Sequence, residues 1–317
     1  MAKLSEFDPS LLRRGAKHRT MQTLDCGMSI PVLVARGAVD GPVLVVSANV
    51  HGDEYEGVRA VYETFDELDP TQMAGDLIAV PVLNPPAFRA GTRTSPLDGA
   101  NLARTFPGKP DGTPSEQLAW GFSHSILARA SFYLDLHSGG VKFRMPSMAG
   151  FYSADPRASA AAEIFGASVI WGHPVIAPGR TVSFATDRNI PWIYTEARGA
   201  GRVHPDDLKM MKRGIRNLLL HLGILKGEPE RVPIEFRLTG EGNTDVGSTA
   251  TQSGFLINRV SMLQKVKAGE LLGVLVDLMG ETLEEYRAPQ DGLIGLIREF
   301  PIVEANDVLY LLAWEEQ

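Results

Sequence analysis

The sequence predicts an α/β fold, in which helices cover both faces of a sheet, followed by an all-β C-terminal region. Up to about residue 225, short Val-rich runs bounded by Gly and Pro alternate with segments of helical periodicity. After Lys226, short apolar runs are separated by Gly and Thr, and no helical stripe is present. We therefore expect an α/β domain over residues 1–225 and a β-rich domain over residues 226–317.

Each predicted element rests on a local pattern. Strand candidates are short apolar runs, and helix candidates have apolar residues every three or four positions. Thr113 and Glu116 are spaced like a capping box that opens a helix. Pro85 and Pro86 end one strand because proline cannot continue a central ladder. The predicted strands are residues 31–35, 43–48, 77–83, 132–136, 168–171 and 192–195, and the predicted helices are residues 55–68, a segment after Glu116, 158–165 and 205–222.

Composition and charge exclude several classes of protein. Of the 317 residues, 44% are apolar and 22% are charged, which is typical of a folded globular chain. The net charge of -7 and the lack of long basic runs argue against a nucleic-acid partner. No apolar stretch is long enough to span a bilayer, and the N-terminal residues lack an apolar signal core, so we expect a cytoplasmic protein with no membrane partner.

The single cysteine limits the kind of metal site that the chain can build. Cys26 has no second cysteine with which to form an internal disulfide or a multi-cysteine metal cage. A metal ion would therefore be held by histidine and carboxylate side chains.

Two histidines follow predicted strands. His51 comes after strand 43–48, and His137 comes after strand 132–136. The carboxyl ends of strands in an open α/β sheet form the crevice where ligands bind, so both imidazoles are expected at one rim. Two His and one Glu are an established zinc set, and His51, Glu54 and His137 supply it. Asp135 lies on the same strand face as His137 and is a candidate to orient its imidazole.

Each of these residues also has an ordinary structural interpretation. A single histidine at a strand end is more often a surface or core residue than a metal ligand. Asp135 is equally compatible with a turn residue at the end of its strand. The pairing of the two histidines at one rim favours the metal site.

Five motifs in order resemble the succinylglutamate desuccinylase and aspartoacylase family, which is related to the zinc carboxypeptidases. Any one motif is weak, but the ordered set is specific, and the resemblance covers most of residues 40–225. It implies a zinc-carboxypeptidase-like mixed sheet. The motifs are NVHGDEYEG (49–57), NPPAFRAGTR (84–93), DGANLARTFPG (98–108), DLHSGG (135–140) and TEARG (195–199).

The resemblance also implies roles for individual residues. The family's zinc ligands fall on His51, Glu54 and His137, with one Zn²⁺ per chain. Its general base falls on Glu196, at the end of a predicted strand. Its two loop arginines fall on Arg93, which polarises the scissile carbonyl, and Arg104, which binds the substrate carboxylate; guanidinium is suited to both tasks. Taken alone, Glu196 is equally compatible with a solvated strand-end carboxylate, and a loop arginine is usually only solvated.

One position departs from the family pattern. Members usually read Asn-Leu-Asn-Arg where this sequence has Asn101-Leu102-Ala103-Arg104. Ala103 removes an amide that would help to hold the substrate carboxylate, which makes the substrate's identity less certain. Asn101 is kept as a candidate substrate-binding residue.

The predicted C-terminal domain provides no assignable site residue. The turn near Asp291 and Gly292 resembles a biotinyl or lipoyl hairpin. However, no lysine stands between Ala288 and Gly292, so we reject a cofactor-carrier role.

The leading hypothesis is a zinc-dependent hydrolase that cleaves the amide bond of a small N-acyl amino acid. Within the family, the DGANLARTFPG segment and the overall layout most resemble those of the members that act on acetyl-diaminobutyrate. Two alternatives stay open. A metallocarboxypeptidase would use the same residues on peptides, although the added β domain would crowd a long substrate. A metal-binding homologue without activity is suggested by Ala103, whereas Glu196 argues against it. A homo-oligomer is compatible with the sequence.

Overall fold

The computed structural model describes residues 2–243 and 246–316. The helices in this part of the chain are α1 (Glu56–Glu67), α2 (Pro85–Ala90), α3 (Pro114–Ser125), α4 (Pro156–Phe165), α5 (Thr181–Asp187) and α6 (Pro205–His221). The strands are β1 (Ala2–Lys3), β2 (Ala16–Thr23), β3 (Ser29–Arg36), β4 (Val39–Ala48), β5 (Ala74–Val80), β6 (Phe132–Leu136), β7 (Phe143–Arg144), β8 (Met148–Tyr152), β9 (Val169–His173), β10 (Trp192–Glu196), β11 (Phe236–Thr239), β12 (Ser248–Thr249), β13 (Gly254–Asn258), β14 (Lys265–Val266), β15 (Leu271–Val276), β16 (Thr282–Arg287), β17 (Gly292–Arg298), β18 (Ile302–Val303) and β19 (Val308–Glu315).

A large mixed sheet runs through the molecule. Its strand order is β1-β2-β3-β5-β4-β6-β10-β8-β9-β11-β19-β17-β14, with β12 beside β19 and β7 beside β17. Strands β5, β4, β6 and β10 are parallel neighbours, whereas β8 is antiparallel to β10. The carboxyl ends of β4, β6 and β10 therefore meet at one edge, and the predicted α/β fold with a mixed sheet is confirmed.

Two apolar cores lie on the two faces of this sheet. Alternate side chains of β4 point to opposite faces, so Leu44 and Val46 enter one core and Val45 enters the other. Helices α1, α4 and α6 pack in the first core, and α3 and α5 pack in the second. The prediction of helices on both faces is confirmed.

Most of the predicted elements are present with small shifts of their ends. The capping box at Thr113 opens α3, and the strand predicted at residues 77–83 lies at Ala74–Val80. Pro85 begins α2, whose first turn is capped by Asn84. Within residues 2–225 the elements that were not predicted are the short helices α2 and α5 and the strands β1, β2, β7 and β8.

The C-terminal region is built from strands. No α-helix occurs in its described residues, 226–243 and 246–316, and a second, antiparallel sheet has the order β16-β15-β13-β18. Hydrogen bonding nevertheless continues from β9 through β11 to β19, so the large sheet crosses the expected domain boundary. The division at residue 225 stays a prediction.

In the described part of the chain, no helix combines the length and apolar character needed to cross a membrane. The cytoplasmic location stays a prediction from the sequence.

Candidate metal centre and active-site cleft

The loop after β4 is held in a tight fold. Asn49 adopts the left-handed conformation, with φ 57°, and its side-chain amide donates to the Glu54 carbonyl at 2.9 Å. Gly52 lies directly against α2, where an added Cβ would be 2.0 Å from the Ala87 carbonyl carbon. This close approach, which only glycine allows, brings His51 and Glu54 together.

His137 reaches the same place from the neighbouring strand. Strands β4 and β6 are parallel, with Ala48 opposite Leu136, so the residues that follow them emerge side by side. The rings of His51 and His137 have centroids 5.2 Å apart. One ligand atom from each of His51, Glu54 and His137 lies within 4.8 Å of the other two. The convergence of the three side chains, predicted from strand ends, is present.

Both imidazoles turn their Nδ1 atoms towards Glu54. His51 Nδ1 is 2.7 Å from Glu54 Oε1, and His137 Nδ1 is 2.9 Å from Oε2. Their Nε2 atoms face outwards, to Asn101 Oδ1 at 3.1 Å and to Asp135 Oδ2 at 3.1 Å. The contact expected between Asp135 and His137 is therefore present.

The partners of the two Nε2 atoms determine the tautomer of each histidine. Ala103 N–H donates to Asn101 Oδ1 at 3.0 Å, so the amide oxygen faces His51 and Nε2 must carry the proton. The Asp135 carboxylate likewise requires a proton on His137 Nε2. With a metal ion bound, both imidazoles would be neutral and would direct their Nδ1 lone pairs, together with the Glu54 carboxylate, at the ion. A set of three inward-facing acceptors fits a divalent cation, and two His with one Glu fit zinc.

The three side chains perturb each other's protonation because they are buried. Burial, followed by the charge of Arg93, lowers the pKa of His51 to about 4. Burial alone would raise the pKa of Glu54 and lower the pKa of His137, but the neighbouring charged groups outweigh the effect of burial. The two imidazoles lower the pKa of Glu54, and Asp135 with Glu54 raises the pKa of His137 well above its usual value.

Glu196 ends β10, the parallel neighbour of β6, and reaches the same edge of the sheet. Its Oε2 atom is buried and has no hydrogen-bond partner among the described residues. Burial, followed by the charge of Glu54, raises the pKa of Glu196 to about 8. Such a carboxyl exchanges a proton near neutral pH, which suits a general base.

A cleft opens over this cluster. Arg93 lies at its edge, where Nη1 is 3.3 Å from Glu54 Oε1. Arg104 and the small side chain of Ala103 line the cleft. The Oδ1 atom of Asn101, by contrast, is engaged by Ala103 N–H at 3.0 Å and by Nε2 of His51, a candidate metal ligand, at 3.1 Å. Its predicted contact with substrate stays a prediction.

A family model for the succinylglutamate desuccinylase/aspartoacylase catalytic domain matches residues 40–222, more than half of the chain. The chain belongs to this family. The same span includes both histidines, Glu54 and Glu196.

Individual relatives in the family match almost the whole chain. An N-alpha-acetyl-L-2,4-diaminobutyric acid deacetylase of Halomonas elongata is 33% identical over 296 residues, covering 90% of this chain and 85% of the relative. The product-bound structure of the ectoine utilization protein EutE of Ruegeria pomeroyi is 30% identical, with a TM-score of 0.85 and coverage of 96% and 97%. A succinylglutamate desuccinylase from Silicibacter sp. TM1040 is 28% identical, with a TM-score of 0.86 and the same coverage.

This family member has cleft residues that the sequence analysis missed: His173, Arg180, Tyr194 and Glu241. His173 ends β9, which is parallel to β8 and therefore antiparallel to β10. The sequence argument considered only the carboxyl ends of strands that run in the same direction, so it did not include His173. Arg180 and Glu241 lie on connections without a recognisable motif. Tyr194 was detectable, because it stands two residues before Glu196 on the same strand face.

Proposed function

We propose that this chain is a zinc-dependent hydrolase that removes the acyl group from a small N-acyl amino acid by cleaving its amide bond. One observation carries the proposal. His51, Glu54 and His137 converge beside a cleft that also contains Glu196, a buried carboxyl with an unpartnered oxygen and a pKa of about 8. The first three would hold one Zn²⁺ per chain.

Zinc bound there would polarise the amide carbonyl and make a water molecule easier to deprotonate. Glu196 would take the proton from the attacking water and pass it to the leaving amine. A buried carboxyl can do both because its two protonation states are close in free energy near neutral pH.

The arginines supply fixed positive charge to the same cleft. Arg93 would stabilise the negative charge that develops on the carbonyl oxygen, since its guanidinium lies beside Glu54. Arg104 would bind the substrate carboxylate. Asn101 would hold His51 and, as predicted from the sequence, contribute to substrate binding from the same loop.

The relative in Halomonas elongata supports a narrower substrate class. That protein is named for the deacetylation of N-alpha-acetyl-L-2,4-diaminobutyric acid. Its 33% identity to this chain extends over 90% of the chain's length. We propose a substrate of this kind, with a small acyl group on an amino acid nitrogen.

The test measures metal content and turnover in the same preparations. Wild-type protein is expected to bind about one zinc per chain and to hydrolyse Nα-acetyl amino acids. Glu196→Gln should retain the zinc but lose about 10²–10⁴-fold in kcat, since it removes the general base. Glu228→Gln changes an exposed carboxylate and serves as the control.

Two outcomes contradict the proposal. One is wild-type activity in Glu196→Gln, and the other is full activity after zinc has been removed with a chelator. Cleavage of peptides with no turnover of acyl amino acids would instead favour the carboxypeptidase alternative.

A further inference from the structure

The cleft contains a carboxylate that the proposed reaction does not use. Three carboxyl groups line it: Asp135, Glu196 and Glu241. Asp135 accepts from Ser47, Thr181 and His137, and Glu196 is the proposed base. Glu241 has no hydrogen-bond or ion-pair partner within residues 2–243 and 246–316. A carboxylate at the edge of a cleft with no internal partner is available to a bound cation.

The backbone that carries Glu241 is held in place by contacts on both sides of it. His173 Nδ1 is 2.9 Å from the Gly240 carbonyl oxygen. Gly242, with φ 60°, packs on the same imidazole so closely that an added Cβ would lie 2.3 Å from His173 Cε1. Arg180 donates to Asn243 Oδ1 at 2.9 Å. Residues 240–243, which we call the 240s segment, therefore hold the backbone of Glu241 at the edge of the cleft, where its side chain is exposed.

The same contacts determine what Tyr194 offers to a ligand. Because His173 Nδ1 faces a carbonyl oxygen, it must be the protonated nitrogen, and burial keeps the ring neutral by lowering its pKa to about 4. His173 Nε2 is then an acceptor, so the Tyr194 hydroxyl, 2.8 Å away, donates to it. Only acceptor capacity is left on the Tyr194 oxygen. Tyr194 and Glu241 thus both favour a donor or a cation.

Three arginines bring positive charge to the same cleft. Arg93, Arg104 and Arg180 line it and suit a carboxylate. A substrate that carries both a carboxylate and an ammonium group would therefore find complementary charges in one cleft.

We propose that Glu241, assisted by the Tyr194 oxygen, binds a positively charged side-chain group of the substrate and thereby selects Nα-acyl diamino acids over neutral and acidic acyl amino acids. This inference rests on the proposed function and specifies its substrate class.

The experiment compares two substrates of matched shape. Nα-acetyl-L-2,4-diaminobutyrate has a side-chain ammonium where Nα-acetyl-L-norvaline has a methyl group. Wild-type zinc-loaded protein should have the higher kcat/KM on the first. Glu241→Gln should lower that kcat/KM about tenfold, mainly through KM, which is the change expected for the loss of one charge-assisted hydrogen bond. Turnover of the norvaline substrate should be unchanged.

A charge reversal and a control sharpen the result. Glu241→Lys should reduce turnover of the diaminobutyrate substrate further and increase turnover of Nα-acetyl-L-glutamate. Glu281→Gln, in the exposed turn between β15 and β16, should change neither.

Failure of this inference is distinguishable from failure of the proposed function. If wild-type protein hydrolyses both matched substrates equally, or if Glu241→Gln slows both equally, the cation site is overturned and the deacylase is retained. If wild-type zinc-loaded protein hydrolyses no acyl amino acid, the proposed function itself is overturned.

Discussion

At the scale of single residues, each candidate metal-binding imidazole is oriented from the side away from Glu54. His137 is held by Asp135 and His51 by Asn101, both at 3.1 Å. A partner of this kind fixes the ring and increases the basicity of the nitrogen that faces the metal. Metal affinity in this site should therefore depend on residues that do not touch the metal.

Asp135→Asn tests this dependence. The amide cannot accept from His137, Ser47 and Thr181 as the carboxylate does, so we expect zinc affinity to fall about 10–100-fold. Competition with a chromophoric chelator measures the dissociation constant, and circular dichroism checks folding. Asp187→Asn, at an exposed position, is the control. An unchanged zinc affinity in folded Asp135→Asn would show that the aspartate does not support the ligand.

His173 predicts a pH dependence of stability. Its pKa is about 4 in the fold, because the ring is buried, against a usual value of 6.5. The unfolded chain therefore binds more protons between these pH values, and stability falls as the pH is lowered from 6.5 to about 4. The loss attributable to this histidine approaches about 3 kcal/mol. Urea unfolding across this range should show a smaller pH slope in His173→Gln than in wild type; equal slopes would contradict the assignment.

At the scale of elements, α1 links the sheet to the loop that carries His51 and Glu54. Gly57, in its first turn, packs so closely that an added Cβ would lie 2.7 Å from Leu136 Cβ and 3.0 Å from Ala48 Cβ. Those two residues end β6 and β4, directly before the loops that carry His137 and His51. Close packing at this glycine sets the distance between the helix and the edge that bears the site.

Gly57→Ala should therefore destabilise the protein, although alanine is the better helix former by about 1 kcal/mol. We expect overpacking to outweigh this gain and to give a net loss of about 1–2 kcal/mol in urea unfolding. Gly121→Ala, in α3, is the matched control because its added Cβ would meet only the ends of leucine side chains at 3.0 Å. Equal effects of the two substitutions would argue against a special role for the contact at Gly57.

The elements that could be predicted from sequence are those in which the spacing of apolar residues identifies a helix or a strand. Strands β4 and β6 and helix α1 have apolar residues at a clear period, so the convergence of His51 and His137 followed from them. Helix α5, with seven residues, is too short for its periodicity to be recognised, and β8 is a brief buried run. The cleft residues on β9 and on the 240s segment depend on packing between distant parts of the chain, which no local pattern records.

At the scale of the whole molecule, the sheet and one apolar core cross from the α/β region into the C-terminal strands. Strand β11 pairs with both β9 and β19. Trp171 of β9 shares a buried cluster with Leu238, Leu296 and Leu311 of the later strands. Regions joined by a continuous ladder and a shared core are expected to unfold together.

This coupling can be tested by a substitution placed far from the junction. Leu272 is fully buried in the separate core of the C-terminal strands, and Leu272→Ala should cost about 2–5 kcal/mol. Trp171 packs on the later strands, so it is replaced together with Trp314; in a Trp171→Phe, Trp314→Phe background the remaining tryptophans, Trp120 and Trp192, both lie in the α/β region. If the molecule is one cooperative unit, Leu272→Ala shifts their fluorescence transition as far as it shifts the transition followed by circular dichroism. A fluorescence transition that stays in place while the C-terminal strands unfold earlier would instead establish two independent domains and support the division expected at residue 225.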